Sequence, residues 1–215
     1  MAKVPVRRKS LRPSDPIEER ILVAAEHLFA ERGFETPLAQ VARAARVSPA
    51  ALRRCFASKR KLLDRVIDRL FAGRWKPEWD VLLVDRTLPL EERLVRFYTE
   101  YRSNIQRTGA RLWTRTGLMG LHVTRNFSGT LAERILKPVI RELRHEAGVR
   151  RAPGRAVTTQ EQELAQVLHG AVSFPHTRSF IFGMDVHGKL GDLIATMVRV
   201  WMPGAIAEVR RLNRG

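Results

Sequence analysis

Between residues 15 and 63 the sequence signals the start of a helix four times, and that spacing constrains the fold more than any other feature. At Asp15-Pro16-Ile17-Glu18, Asp15 suits the cap, Pro16 suits the first helical position, and Glu18 completes a capping box. Ile17, Ile21, Ala24, Ala25, Leu28 and Phe29 then recur at helical spacing. Gly33 stops this helix, because a left-handed cap position favours a residue without Cβ. Thr36-Pro37 repeats the start signal ahead of Leu38, Val41, Ala42 and Ala45. Ser48-Pro49 opens a third helix, with Leu52 and Phe56 one turn apart on its buried side. Ser58 caps a fourth, which carries Leu62, Leu63, Val66, Ile67 and Leu70. Short helices on such short turns can only close into a compact helical head.

The rest of the chain also reads as helix. Past Pro77 and a short loop, Leu90, Leu94, Phe97, Tyr98, Tyr101 and Ile105 fall on one stripe. A Gly-interrupted segment follows with Trp113, Leu118, Met119 and Leu121. Leu131, Ile135, Val139 and Leu143 mark a further helix, which Pro138 should kink. Residues 148–158 are a loop by composition. Thr158 and Glu161 predict a capping box ahead of Leu164, Val167, Leu168, Ala171 and Val172, in a helix that Pro175 should bend or end. The last apolar stretch runs from Leu190 through Ile194, Met197 and Trp201. No run alternates as a strand would, so the expected fold class is all-α, a small head on a larger helical body.

Charge narrows the function. The 215 residues carry a formal net charge of +17, which favours an anionic partner. Residues 36–56 have helix-turn-helix spacing, with a tight turn closed by Val47. A helix entering the roughly 12 Å major groove needs small or hydrogen-bonding residues on its outer face near its N-terminus. Here these are Ser48, Pro49, Ala50, Ala51, Arg53, Arg54 and Cys55, with Thr36 and Arg46 at the edges of the motif. Arg43, Arg46, Arg53, Arg54, Lys59, Arg60, Lys61 and Arg65 are opposed only by Asp64, a cluster suited to phosphates. A solvated basic helix pair would show the same charges. The alternative function is a nonspecific basic nucleic-acid-binding protein, although the head lacks the aromatic platforms expected for single strands.

Other classes find less support. The sequence has no G-x-S-x-G, H-E-x-x-H, P-loop or dinucleotide fingerprint, and Asp185, Asp192 and Glu208 are scattered, so no enzyme is expected. The single cysteine, Cys55, excludes an internal disulfide and fits a reducing cytoplasm. No apolar core follows the basic N-terminus as in a secretory signal, and no apolar run approaches the roughly 18 residues that span a bilayer.

A longer pattern then emerges. Ile21-Leu22-x-Ala24-Ala25-x-x-Leu28-Phe29-x-x-x-Gly33-Phe34, Val41-Ala42-x-Ala44-Ala45-x-Val47-Ser48 and Leu52-x-x-Phe56-x-Ser58-Lys59-x-x-Leu62-Leu63 stand in order. Over residues 19–63 this resembles the head of the TetR family of transcriptional regulators. Some positions depart from the family's pattern. Arg46 stands where a turn glycine is common, Ala51 and Arg53 replace residues whose hydroxyls often hold phosphates, and Cys55 sits where histidine or tyrosine is frequent.

Residues 1–14 read as a flexible basic arm by composition, and the resemblance implies a helix-turn-helix DNA-binding domain at 15–63 and a helical ligand-binding and dimerisation domain at 64–215. It implies a cytoplasmic homodimer that binds double-stranded DNA at a palindromic operator, usually as a repressor, and lets go when a small-molecule effector enters the body. By the same resemblance Lys59 holds a phosphate, the fourth helix links head and body, and the helices near 159–180 and 189–211 pair with a second copy. Candidate effector contacts are Phe97, Tyr98, Tyr101, Trp113, Met119, His122, Phe127, His169, Phe174 and His176. No cofactor, metal or membrane is expected; Pro175 lies between His169 and His176, and no carboxylate or thiol at ligand spacing joins them. Arg7, Arg8, Lys9 and Arg12 either enter a minor groove or form a solvated tail.

Overall fold

The computed structural model describes residues 15–71, 75–118, 129–149 and 155–214. The basic arm at 1–14, together with Met119, His122 and Phe127, lies outside the described residues. Every regular element among the described residues is a helix. The chain divides into two compact units between Val66 and Ile67.

The first unit holds α1 (Pro16–Arg32), α2 (Leu38–Ala44), α3 (Pro49–Cys55) and the start of α4 (Lys59–Phe71). Ile21, Leu22, Ala25 and Phe29 of α1 are buried, as are Val41, Leu52 and Phe56, where α1 packs on α2 and α3. Burying each large side chain contributes about 1.5–3 kcal/mol. Asp15 caps α1 by accepting from the Ile17 N–H at 2.9 Å, with Pro16 in the first turn. The expected capping box does not form, because Glu18 accepts from Arg65 at 2.9 Å and ties α1 to α4. Gly33 ends α1 at φ +83° and ψ 178°, outside the left-handed helical well that was expected. That region is open essentially to glycine alone, so the residue requirement holds for a different geometry. Thr36 does not cap α2. Its hydroxyl donates back to the Gly33 carbonyl at 2.8 Å, and Pro37 precedes the helix without a side-chain cap.

The turn between α2 and α3 is a Schellman motif. The Arg46 N–H donates to Arg43 O at 3.1 Å and the Val47 N–H donates to Ala42 O at 3.0 Å. This closure places one residue in the left-handed region, here Arg46 at φ +55°.

The second unit holds the remainder of α4, α5 (Pro77–Val84), α6 (Leu90–Ser103), α7 (Arg107–Leu118), α8 (Lys137–Glu146), α9 (Thr159–Phe180) and α10 (Leu190–Leu212). Leu94, Phe97 and Tyr98 of α6 share a core with Val139, Ile140 and Leu143 of α8, Leu168 and Val172 of α9, and Ile194, Val198 and Val209 of α10. Helix α5 stands where a loop was expected; Pro77 occupies its first turn, and Trp79 and Leu83 join the core. A π segment, Ala132–Leu136, runs into α8, and the Lys137 N–H reaches back to Ala132 O. The wider turn stands just ahead of Pro138, which has no N–H to give and whose ring would crowd Arg134 O in a regular helix. Helix α9 does not end at Pro175 but continues to Phe180.

Helix α10 corrects a further expectation. It is 23 residues long with mean hydropathy 1.2 over its most apolar window, enough by length and composition to cross a bilayer. One face of it packs in the core, where the Trp201 indole N–H donates to Leu164 O of α9 at 2.9 Å.

Candidate nucleic-acid interface and ligand cavity

Helix α3 is fixed at both ends. The Ser48 hydroxyl accepts from the Ala51 N–H at 3.1 Å, Pro49 occupies a position where its missing N–H costs nothing, and the Phe56 N–H closes on Leu52 O at 2.9 Å. Leu52 and Phe56 are buried and anchor the helix. Ser48, Pro49, Ala50, Arg53, Arg54 and Cys55 are left exposed, with Ala51 half-buried beside them. Arg46 is exposed at the turn, and Lys59 is half-buried at the first residue of α4. Thr36 departs from this surface, being 4 % exposed with its hydroxyl turned to Gly33.

The charges around α3 are largely uncompensated. Arg60 pairs with Asp64 at 3.0 Å and Arg65 with Glu18 at 2.9 Å. Arg43, Arg46, Arg53, Arg54, Lys59 and Lys61 have no carboxylate partner among the described residues. Phosphates would relieve their mutual repulsion and release condensed counterions. Ser58 caps α4 by accepting from the Lys61 N–H at 3.2 Å, and the first-turn N–H groups of that helix favour an anion beside Lys59. The Cys55 thiol is pushed up, first by burial and then by the charges of Asp15 and Glu18. This disfavours the thiolate that a redox sensor needs.

Residues 21–66 match the family model of bacterial regulatory proteins of the tetR family. The head therefore carries the sequence pattern of that family over about a fifth of the chain. The fold of the whole chain is also that of TetR-family regulators. A structure from Mesorhizobium loti assigned to the family aligns with TM-score 0.62 at 14% identity, over 89% of this chain and 98% of that one. A TetR-family regulator from Pseudomonas syringae pv. tomato aligns with TM-score 0.58 at 18% identity, over 89% and 97%. One from Streptomyces coelicolor aligns with TM-score 0.62 at 14% identity, over 93% and 90%. At such identities the likeness is one of fold. No curated protein matches the sequence.

The second unit of this TetR-like chain contains a cavity of about 230 Å³ walled by α6, α7 and α9. Tyr101, Trp113, His169 and His176, all named from the sequence, line it. Phe97 does not reach it; the ring is fully buried and stacks behind Tyr101 at 5.5 Å. Tyr98 is equally buried, 5.9 Å from the His169 ring. Phe174 is 54 % exposed and is not among the lining residues. The sequence reading missed Arg102, which lines the cavity beside Tyr101. The signal was present, since Arg102 falls four residues after Tyr98 on the apolar stripe of α6, where a charge is out of place. Burial, and then the Arg102 charge, push His169 and His176 each down to about 4, so both rings are neutral at pH 7. Burial pushes Arg102 down to about 10, which leaves it a cation.

Proposed function

We propose that the protein is a sequence-specific DNA-binding transcriptional regulator that represses from a palindromic operator as a homodimer and is released by a small molecule. The carrying observation is α3: a capped, anchored helix with a small-residue outer face, beside six cations that have no carboxylate partner among the described residues. Ser48, Ala50, Ala51, Arg53, Arg54 and Cys55 then face the major groove, and Arg46 and Lys59 hold phosphates at its edges. In this reading residues 15–63 bind DNA in the cytoplasm and residues 64–215 bind effector and mate.

Two features of the second unit support the rest. Val167, Gly170, Ala171 and Phe174 form an exposed stripe on α9, and Val200, Pro203, Gly204 and Ala207 form another on α10. A second copy would cover both stripes in a four-helix bundle. Helix α7 brings Ala110, Trp113 and Thr114 to the cavity, and a Cβ at the preceding Gly109 would stand 3.6 Å from Leu70 of α4. In this reading α4, which neighbours α7 at Leu70, is the element through which a guest acts on the head. Two recognition helices must sit about 34–36 Å apart to meet successive major grooves. A guest that favours another separation weakens operator binding by reciprocal coupling, typically about 1–3 kcal/mol.

The test is to incubate the purified protein with fragmented DNA from its own genome near physiological salt and sequence what is retained. Recovery of one or a few palindromic sites supports the proposal. Uniform recovery with a steep salt dependence would replace it with nonspecific binding.

A further inference from the structure

Among the described residues, three arginines of the second unit are buried, and only two of them have a carboxylate. Arg93 donates to Glu142 at 3.0 Å and to the Leu83 carbonyl at 2.8 Å. Arg144 makes a two-pronged bond to Glu161 at 2.7 and 2.6 Å. Arg102 is 6 % exposed and makes a single bond, from its guanidinium to the Ser173 carbonyl at 3.2 Å. Its Nε is buried without a partner. Every Asp and Glu of the chain lies within the described residues, and none pairs with Arg102. A buried cation without an anion is strongly unfavourable, which makes the missing partner a ligand rather than a side chain.

The surroundings agree. Arg102 lines the cavity together with His169 and His176, whose Nδ1 atoms are also buried without partners. We infer that the cavity is the site of a small organic acid whose carboxylate is held by Arg102 and steadied by His169 and His176, with its apolar body against the Tyr101 and Trp113 rings. A planar guanidinium suits the two oxygens of a carboxylate. One cation beside two neutral imidazoles matches a single negative charge better than a phosphate dianion. The volume of about 230 Å³ is below the roughly 300–1,000 Å³ usual for ligand pockets, so the acid is small.

This inference rests on the reading of the second unit as an effector domain, but its test needs no DNA. Benzoate, phenylacetate, cinnamate and hexanoate, each paired with its primary amide, are titrated calorimetrically into the full-length protein. At least one acid is expected to bind ten-fold or more tighter than its amide. In Arg102→Met that preference disappears, and the ligand-free melting temperature rises because an uncompensated buried charge is gone. Arg102→Lys keeps a charge in place, and retention of a weaker acid preference there supports the assignment even if the Met variant does not fold. The inference is overturned if no acid outbinds its amide, or if Arg102→Met keeps the preference. An acid that binds yet leaves operator affinity unchanged would defeat the release reading and leave the carboxylate site standing.

Discussion

Arg46 and Gly148 close the same hydrogen-bonded turn in two places. After α8, Gly148 at φ +69° lets its own N–H reach His145 O at 3.0 Å and the Val149 N–H reach Arg144 O at 2.9 Å. After α2 the same pair of bonds is made with Arg46 at φ +55°. A side chain there costs about 1–2 kcal/mol, and glycine would return part of it through a freer unfolded chain. Arg46→Gly should therefore stabilise the protein by about 0.5–1 kcal/mol while weakening DNA binding and lowering its salt slope by about 1. Denaturant unfolding and salt-dependent binding should move in opposite directions; equal affinity would remove Arg46 from the interface. His169 offers a test of sign. Its folded value near 4 lies below the ordinary 6.5, so between those pH values the unfolded chain takes a proton that the folded chain refuses. Stability is intact above pH 6.5 and declines as pH falls toward 4, by up to about 3 kcal/mol in all from this residue. Arg102 is the charged group facing it, and Tyr98 and Tyr101, both pushed up chiefly by burial, stay neutral throughout. His169→Gln should flatten this part of the acid limb in denaturant unfolding at stepped pH; an unchanged limb would show that His169 is protonated in the fold.

Helix α9 shows how local and distant causes divide at the scale of an element. The Thr158 hydroxyl accepts from the Glu161 N–H at 3.2 Å, and Glu161 reaches back to the Thr158 N–H at 2.9 Å. That capping box was legible because both partners lie within one turn. The other tasks of Glu161 were not, since its carboxylate also takes Arg144 from α8 and Asn213 beyond α10. Burial pushes the group up, yet these donors outweigh it and hold it near 2. Glu161→Gln should destabilise the fold by about 3 kcal/mol, because Arg144 is left buried without its counter-charge. Thr158→Ala removes only a cap, about 1 kcal/mol. Comparable losses in denaturant unfolding would mean that Glu161 acts as a cap alone. The same division explains what the local pattern left open at Pro175 and missed at α5. Pro175 removes one helical bond, but Leu168 and Val172 before it are packed in the core, and tertiary burial overrides local propensity. Helix α5 has eight residues, too few for a period to show. Four cavity residues were legible as aromatics and histidines on helical stripes; Arg102 was marked as well, by its place on the apolar stripe of α6, but packing against helices distant in sequence decides that it lines a cavity rather than reaching solvent.

For the molecule as a whole, the unburied apolar surface is the decisive quantity. Only 17% of the most apolar window of α10 is buried, Val200 is 77 % exposed, and Val167 on α9 is 62 % exposed. Gly170, Ala171, Gly204 and Ala207 stand near them and leave room for a second pair of helices to approach closely. A bilayer would suit the length of α10, but Asp192, Arg199, Arg210 and Arg211 lie exposed along it, and each would be costly in hydrocarbon. A second copy needs only the stripe to be covered and leaves those charges in water. Val167→Glu with Val200→Glu places like charges where the two copies would meet. The expected outcome is a monomer by sedimentation at micromolar concentration, with the helical circular dichroism of the parent retained. Affinity for a palindromic site should fall by roughly 10²–10⁴, because the second head no longer binds as a tethered partner. Affinity for a half-site should stay the same, since the head is untouched. A parent that already sediments as a monomer would count against pairing through this surface. A variant that remains dimeric would move the interface off α9 and α10.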